Sequence, residues 1–294
     1  MQSRLVECVP NFSEGRDHAK IGAIAHAIQS AGAVVLDRTS DHDHHRSVIT
    51  FAAPPEVTAE AAFRAVRQAV HSIDLRHHTG VHPRIGAADV VPFVPLDGIT
   101  LEDCARLAEE TGRRIWEELR VPVYLYEAAA RRPESRNLAD VRRGRSVPDF
   151  GGPDHHASSG AVVVGARKFL IAFNVNLQTS DVAIARRIAR SVRFSSGGLP
   201  YVKAVGVMLA SRNLAQVSMN LTDFEQTPIH VAFEAVRSEA ERHGVGIAGT
   251  EIIGLVPKKA VEMAVAAGYR DENLTAKIVL ENRLAEQLAD AAGH

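Results

Sequence analysis

Cysteine is scarce in this chain. Two residues, Cys8 and Cys104, are too few for a disulfide framework or a thiolate zinc site, and they point to a reducing compartment. Net charge is lacking too: Lys+Arg 34 against Asp+Glu 35 leaves −1, so there is no bulk field for nucleic acid or an anionic membrane. No apolar run approaches the ~18 residues that span a bilayer. Met1-Gln2-Ser3-Arg4, soon followed by Glu7, has no apolar signal-peptide core. Gly-x-x-x-x-Gly-Lys-Ser/Thr, Gly-x-Gly-x-x-Gly after a strand and Gly-x-Ser-x-Gly are all missing. Nucleotide-hydrolase and serine-hydrolase readings therefore lose their main support. What remains is a chain 46% hydrophobic and 23% charged, long enough at 294 residues for about two domains. It is expected to be a cytoplasmic globular protein.

The order of elements repeats. Leu5 to Val9 reads as a strand closed by Pro10. Ile21, Ile24, Ile28 and Ala31 recur at helical spacing before Gly32. Val34-Val35-Leu36 and Ser47 to Phe51 are strands joined by the polar run Ser40 to His45. Val57, Ala62, Phe63, Val66, Val70 and Ile73 mark a second helix, and Val90 to Phe93 a fourth strand. Thr100 and Asp103 form a capping-box pattern opening a further helix. Val121 to Tyr126 follows as an edge-type strand containing Pro122. From about 131 to 160 the chain is basic, then glycine-rich, the pattern of a linker or lid.

The second half runs strand (Phe169–Asn176), helix (Ile184, Ile188, Val192), strand (Val202–Leu209) and strand (Leu214–Leu221). A helix capped by Thr227-Pro228 and a strand from Val245 to Leu255 complete it, and one or two helices follow. Two β-α-β-β-α-β units predict an α+β fold of two ferredoxin-like, split βαβ subdomains, 1–164 and 165–294. Helices cover one sheet face in such a unit. In the second half Gln216, Ser218 and Asn220 alternate against Ala215, Val217, Met219 and Leu221. Asn174 and Asn176 alternate against Ile171, Phe173 and Val175. The polar sets are expected to meet on the open face, either solvated or binding a polar ligand. If the first half has a similar face, the two would oppose each other across a groove or tunnel.

One loop concentrates chemistry. Gly80-Val81-His82-Pro83-Arg84-Ile85-Gly86 and nearby Asp89 put an imidazole, a cation and a carboxylate within a glycine-bracketed stretch. Pro83 biases His82 toward extended geometry, and the glycines suit turns. It is either a surface turn or a general acid–base site. Asp41-His42-Asp43-His44-His45-Arg46 is ligand-rich, but its i, i+2 spacing is not a helical His-x-x-x-His site. It is either a polar inter-strand loop or the basis of a metal-dependent hydrolase.

Several strings together resemble glutamate formimidoyltransferases, including the formiminotransferase part of formiminotransferase–cyclodeaminase. These are Val6-Glu7-Cys8-Val9-Pro10-Asn11-Phe12-Ser13-Glu14-Gly15, His45-Arg46-Ser47-Val48, Val81 to Ala87, Val121 to Tyr126, Gly165 to Asn174, Asn213 to Ser218 with Asn220, and Ile253 to Pro257. The resemblance spans nearly the whole chain and implies two subdomains with a tunnel between open sheets. It implies transfer of the formimidoyl group from N-formimidoyl-L-glutamate to N5 of tetrahydrofolate as co-substrate, with no metal and no cyclodeaminase domain, in a homodimer. The catalytic histidine maps onto His82, which would take a proton from N5 and return one to the departing glutamate nitrogen. Arg46 and Arg84 are candidates for a substrate carboxylate or for structural ion pairs. Asn174, Asn176, Gln216 and Asn220 are further substrate-binding candidates. Folate contacts map onto Gly151, Gly152 and Gly160, and onto Lys203 and Gly206. Formyl transfer on the same site, and folate binding without turnover, are the other readings.

Overall fold

Two units divide the chain, Met1–Lys168 and Phe169–His294. The computed structural model describes residues 4–292; Met1 to Ser3, part of the N-terminus considered above, lie outside them. Each unit has its own sheet and its own buried apolar cluster, so the protein is mixed α+β.

The first sheet has seven strands. β1 (Leu5–Cys8) and β2 (Asn11–Phe12) lie end to end between the same two neighbours. Pro10, which has no N–H to give a ladder, falls in the interruption. α1 (His18–Gln29) is capped by Asp17, whose carboxylate accepts from the Ala19 and Lys20 amides. β3 (Val34–Asp41) and β4 (Arg46–Ala53) then form a hairpin. Both strands extend past the apolar runs seen in the sequence. Asp37, Thr39 and Asp41 pair with Thr50, Val48 and Arg46, so polar residues continue the ladder on one face while Ile49, Phe51 and Ala53 enter the core. α2 (Pro55–Ser72) leads to the His82 loop and β5 (Ala88–Asp97). The strands β3, β4, β1/β2 and β5 are antiparallel neighbours in that order.

α3 (Leu101–Leu119) opens with the expected capping box: Thr100 Oγ1 accepts from Asp103 N, and the Asp103 carboxylate accepts from Thr100 N. β6 (Val123–Glu127) sits at the sheet edge, with Pro122 just outside it. The segment after it is not a free linker. It carries the short helix α4 (Leu138–Arg142) and returns as β7 (Val162–Ala166), which inserts parallel between β5 and β6. Val141 packs with Val90, Tyr124, Tyr126, Ala161 and Val163 on the other side of the sheet from the main core. β7 therefore belongs to the first unit, and the break falls at Lys168. Val162-Val163-Val164-Gly165-Ala166 is continuously apolar, as a strand buried on both faces should be.

In the second unit β8 (Ile171–Leu177), α5 (Val182–Val192), β9 (Val202–Leu209), β10 (Leu214–Leu221), α6 (Ile229–Arg242) and β11 (Ile247–Ile253) make a four-stranded antiparallel sheet. Its order is β11-β8-β10-β9. Asn213 takes the left-handed conformation, φ 52°, that the tight β9–β10 connection needs. Thr227 does not cap α6 as the sequence predicts. The cap position is Pro228, and the Thr227 hydroxyl donates instead to Pro200 O at 2.6 Å. α7 (Lys258–Ala266) and α8 (Leu280–Ala292) complete the chain. Among the described residues no helix is long and apolar enough to cross a membrane.

Candidate active site

The His82 loop is sewn onto the β3–β4 turn. Val81 N donates to Asp43 O at 3.1 Å. The His45 ring, at φ 48°, bridges Thr79 O at 2.9 Å and Glu14 Oε1 at 3.1 Å. It stacks on His78, with centroids 3.9 Å apart, and His78 Nε2 donates to His45 O at 3.0 Å. Gly80 is needed for close approach, since a Cβ there would lie 2.6 Å from His44 O. Gly86 is needed likewise, because its Cβ would lie 1.8 Å from Ala161 O. Neither has positive φ, so contact rather than turning selects these two glycines.

Burial is the largest influence on the His82 imidazole. It pushes the pKa well below the ordinary histidine value, and the Arg46 and Arg142 cations push the same way. Its Nδ1 lies 2.7 Å from Pro83 O. A carbonyl can only accept, so this nitrogen carries the hydrogen and Nε2 keeps its lone pair. Burial and the two cations thus favour the neutral imidazole.

Beside it Asp89, fully buried, joins three partners. Oδ1 accepts from Ile85 N at 2.7 Å, and Oδ2 accepts from Arg46 Nη1 at 2.6 Å and from Arg142 Nη2. Burial alone would raise the Asp89 carboxyl, but Arg142 and Arg46 outweigh it and hold the group far below the usual range. Arg46 Nε also donates to Asn11 Oδ1 at 3.1 Å. Arg46 is thus a structural ion pair as well as a neighbour of His82. Arg84 is a loop clamp: Nη1 donates to Gly80 O and His82 O at 3.2 and 3.4 Å, and Nη2 to His78 O at 3.0 Å.

The Asp41–His45 run is the turn that carries this loop. Asp41 Oδ1 accepts from His44 N at 2.7 Å, closing it. Among the described residues no group of three His, Cys, Asp or Glu is placed to hold a metal ion.

The amides of the second unit do meet on one face. Gln216 pairs with Asn176, and Ser218 with Asn174, across β10 and β8. Gln216 Nε2 donates to Asn176 Oδ1 at 2.9 Å, and Asn174 Nδ2 to Glu251 Oε2 at 3.2 Å. Glu251, on β11, is the centre that the sequence did not reveal; Arg212 lies 3.6 Å from its other oxygen. Asn174, Asn176 and Gln216 are buried while Asn220 is exposed. Lys203 pairs with Asn220 on this face. Gly206 pairs with Val217 on the opposite one, where its Cβ would lie 2.3 Å from Arg186 N of α5. Its glycine is explained by helix packing, and it does not face the amides. Gly151 (φ 93°) packs on the Trp116 ring, where a Cβ would come within 2.8 Å. Gly160 (φ 69°) bridges to Gly86 and so abuts the His82 loop, whereas Gly152 is exposed with open space around it.

The first sheet has a polar face of its own. Glu7 pairs with Ala52, and Asp37 with Thr50, alternating against the core positions. Two hydroxyls, Thr39 Oγ1 and Thr50 Oγ1, are buried there without a partner. Alternation would have shown them had β3 been extended past Leu36.

Comparison with known proteins gives this geometry its class. The N-terminal subdomain of the formiminotransferase domain matches residues 5–167, and the formiminotransferase domain matches 172–289. A glutamate formimidoyltransferase of Streptococcus pyogenes is 45% identical over 272 residues, covering 88% of this chain and 91% of the relative. One from Thermoplasma acidophilum is 47% identical, covering 87% and 89%. The chain is an enzyme, a transferase. The formimidoyltransferase-cyclodeaminase of Mus musculus is 43% identical over 96% of this chain and 55% of the relative. With both halves matched in order, the chain belongs to the formiminotransferase family.

Proposed function

We propose that the enzyme transfers the formimidoyl group of N-formimidoyl-L-glutamate to N5 of tetrahydrofolate, a step of histidine degradation, with His82 as general acid and base. The observation that carries this reading is the state of His82: neutral, its Nδ1 committed to Pro83 O and its Nε2 lone pair available. Tetrahydrofolate, when bound, supplies a nucleophilic secondary amine. Polar groups without partners on the first sheet, Thr39 Oγ1 and Thr50 Oγ1, suit a polar co-substrate, as do the amides around Glu251. His82 Nε2 takes the proton released when the new C–N bond forms, and the same nitrogen delivers it to the leaving glutamate nitrogen. A shuttle of this kind is worth about 10²–10⁴-fold in rate. The two sheets are read as ferredoxin-like units, supported by the order β11-β8-β10-β9 and by the matching order of β5, β1, β4 and β3.

A spectrophotometric assay with both substrates tests the proposal. Wild type is expected to turn over, with the acid limb of kcat/KM lying below pH ~6.5 because the base is already neutral there. His82→Ala is expected to lose about 10²–10⁴-fold. No turnover by wild type, or an unaffected His82→Ala, would sink the reading.

A further inference from the structure

Arg142 stands out among the arginines around His82. The sequence places it in the basic stretch between halves, but it ends α4 and reaches Asp89. Its side chain is only 16% exposed, and its Nε–H is buried with no acceptor. A guanidinium offers five donors in a fixed fork, and a buried donor left unmade carries its full desolvation cost. The charges compound this. Around His82 the Arg46 and Arg142 cations face the one Asp89 carboxylate, so the cluster holds a positive charge in excess. A partly buried, uncompensated charge is costly. An anion on the exposed side of the guanidinium would balance that charge.

We propose that Arg142, through the guanidinium N–H groups that Asp89 leaves free and the excess charge of the Arg46–Asp89–Arg142 cluster, binds a substrate carboxylate next to His82. The inference rests on the reading of His82 given above. Both substrates in that reading carry carboxylates, the glutamyl donor and the glutamate tail of the folate, so the chemistry is shared and the experiment must separate the sources. Arg46 and Arg84 are poorer candidates, the first held by Asp89 and Asn11, the second by three backbone carbonyls.

Steady-state kinetics with each substrate varied in turn provides the test. Arg142→Gln is expected to raise one KM about 10–100-fold, the range for a hydrogen bond to a charged group, with a smaller change in kcat. It also removes a cation that depresses His82, so the acid limb moves to higher pH. Arg142→Lys, which keeps charge without the guanidinium fork, recovers only part of the KM. Arg143→Gln, at an exposed arginine paired with Asp140, serves as the control and leaves both KM values alone. A rise confined to the donor's KM assigns its carboxylate, and a rise confined to the folate's assigns the tail. Unchanged KM values for both substrates overturn the proposal, while wild-type turnover lost in His82→Ala still supports the reading beneath it. Should wild type not turn over, calorimetric titration with L-glutamate and tetrahydrofolate decides. Equal binding to wild type and Arg142→Gln refutes the site. If Arg142→Gln fails to fold, Arg142→Lys carries the same comparison.

Discussion

His78 shows how a single side chain near the site couples to pH. Burial, helped by the Arg84 cation, outweighs its bond to His45 O and lowers its pKa to about 4. In the unfolded chain the value is about 6.5. Between these values the unfolded state binds the extra proton, so stability rises with pH. The contribution is fully present above pH ~6.5 and is lost as pH falls through about 4. Urea unfolding at pH 7 and pH 5 is therefore expected to show a smaller drop in midpoint for His78→Gln than for wild type. Equal drops would mean that His78 binds its proton alike in the folded and unfolded chain. Around the proposed acid–base, the sequence showed His82 and its neighbours in the chain. It did not show Arg142 as a neighbour, because the two lie 60 positions apart in the chain and only the β6–β7 crossover brings them together.

At the scale of elements, the site depends on a crossing of two backbones. Gly160 pairs with Gly86 beside the His82 loop, and Ala161 N donates to Ile85 O at 3.0 Å. A Cβ on Gly160 would lie 2.2 Å from Ile85 O at a φ of 69°. Gly160→Ala therefore combines a steric clash with left-handed strain, a cost of about 1–3 kcal/mol for the strain alone. It is expected to lower the unfolding free energy by at least that much in urea titration, and to lower kcat as the loop shifts. A stable, fully active variant would show that the bridge is dispensable. The family resemblance implies a folate contact at Gly160, but glycine in a loop can serve a ligand or a neighbouring chain, and the residue type does not tell which.

Over the whole molecule, two separate cores imply two units that report differently. Phe12, Phe51, Phe63 and Phe93 anchor one, and Phe173 with Met219 the other. The one tryptophan, Trp116, lies in the first. Gly206→Ala drives a Cβ into the α5 backbone of the second unit. It is expected to lower the transition seen by far-ultraviolet circular dichroism while leaving the Trp116 fluorescence transition in place. Coincident shifts of both signals would show a single cooperative unit instead.

The sequence alone determined the element order, the capping box at Thr100 and the amide alternation on β8 and β10, because helical and strand periods and cap chemistry are local. It also carried the family likeness through the His82 loop. Tertiary structure decided the rest. It showed β7 to be a strand of the first sheet, turned the Asp41–His45 run into a scaffold, committed Arg46 and Arg84 to the protein, and brought Arg142 to Asp89. Partners distant in the chain leave no periodicity in it. Charge balance, burial and spare hydrogen-bonding capacity around His82 are sums over such partners, and they exist only once the chain has folded.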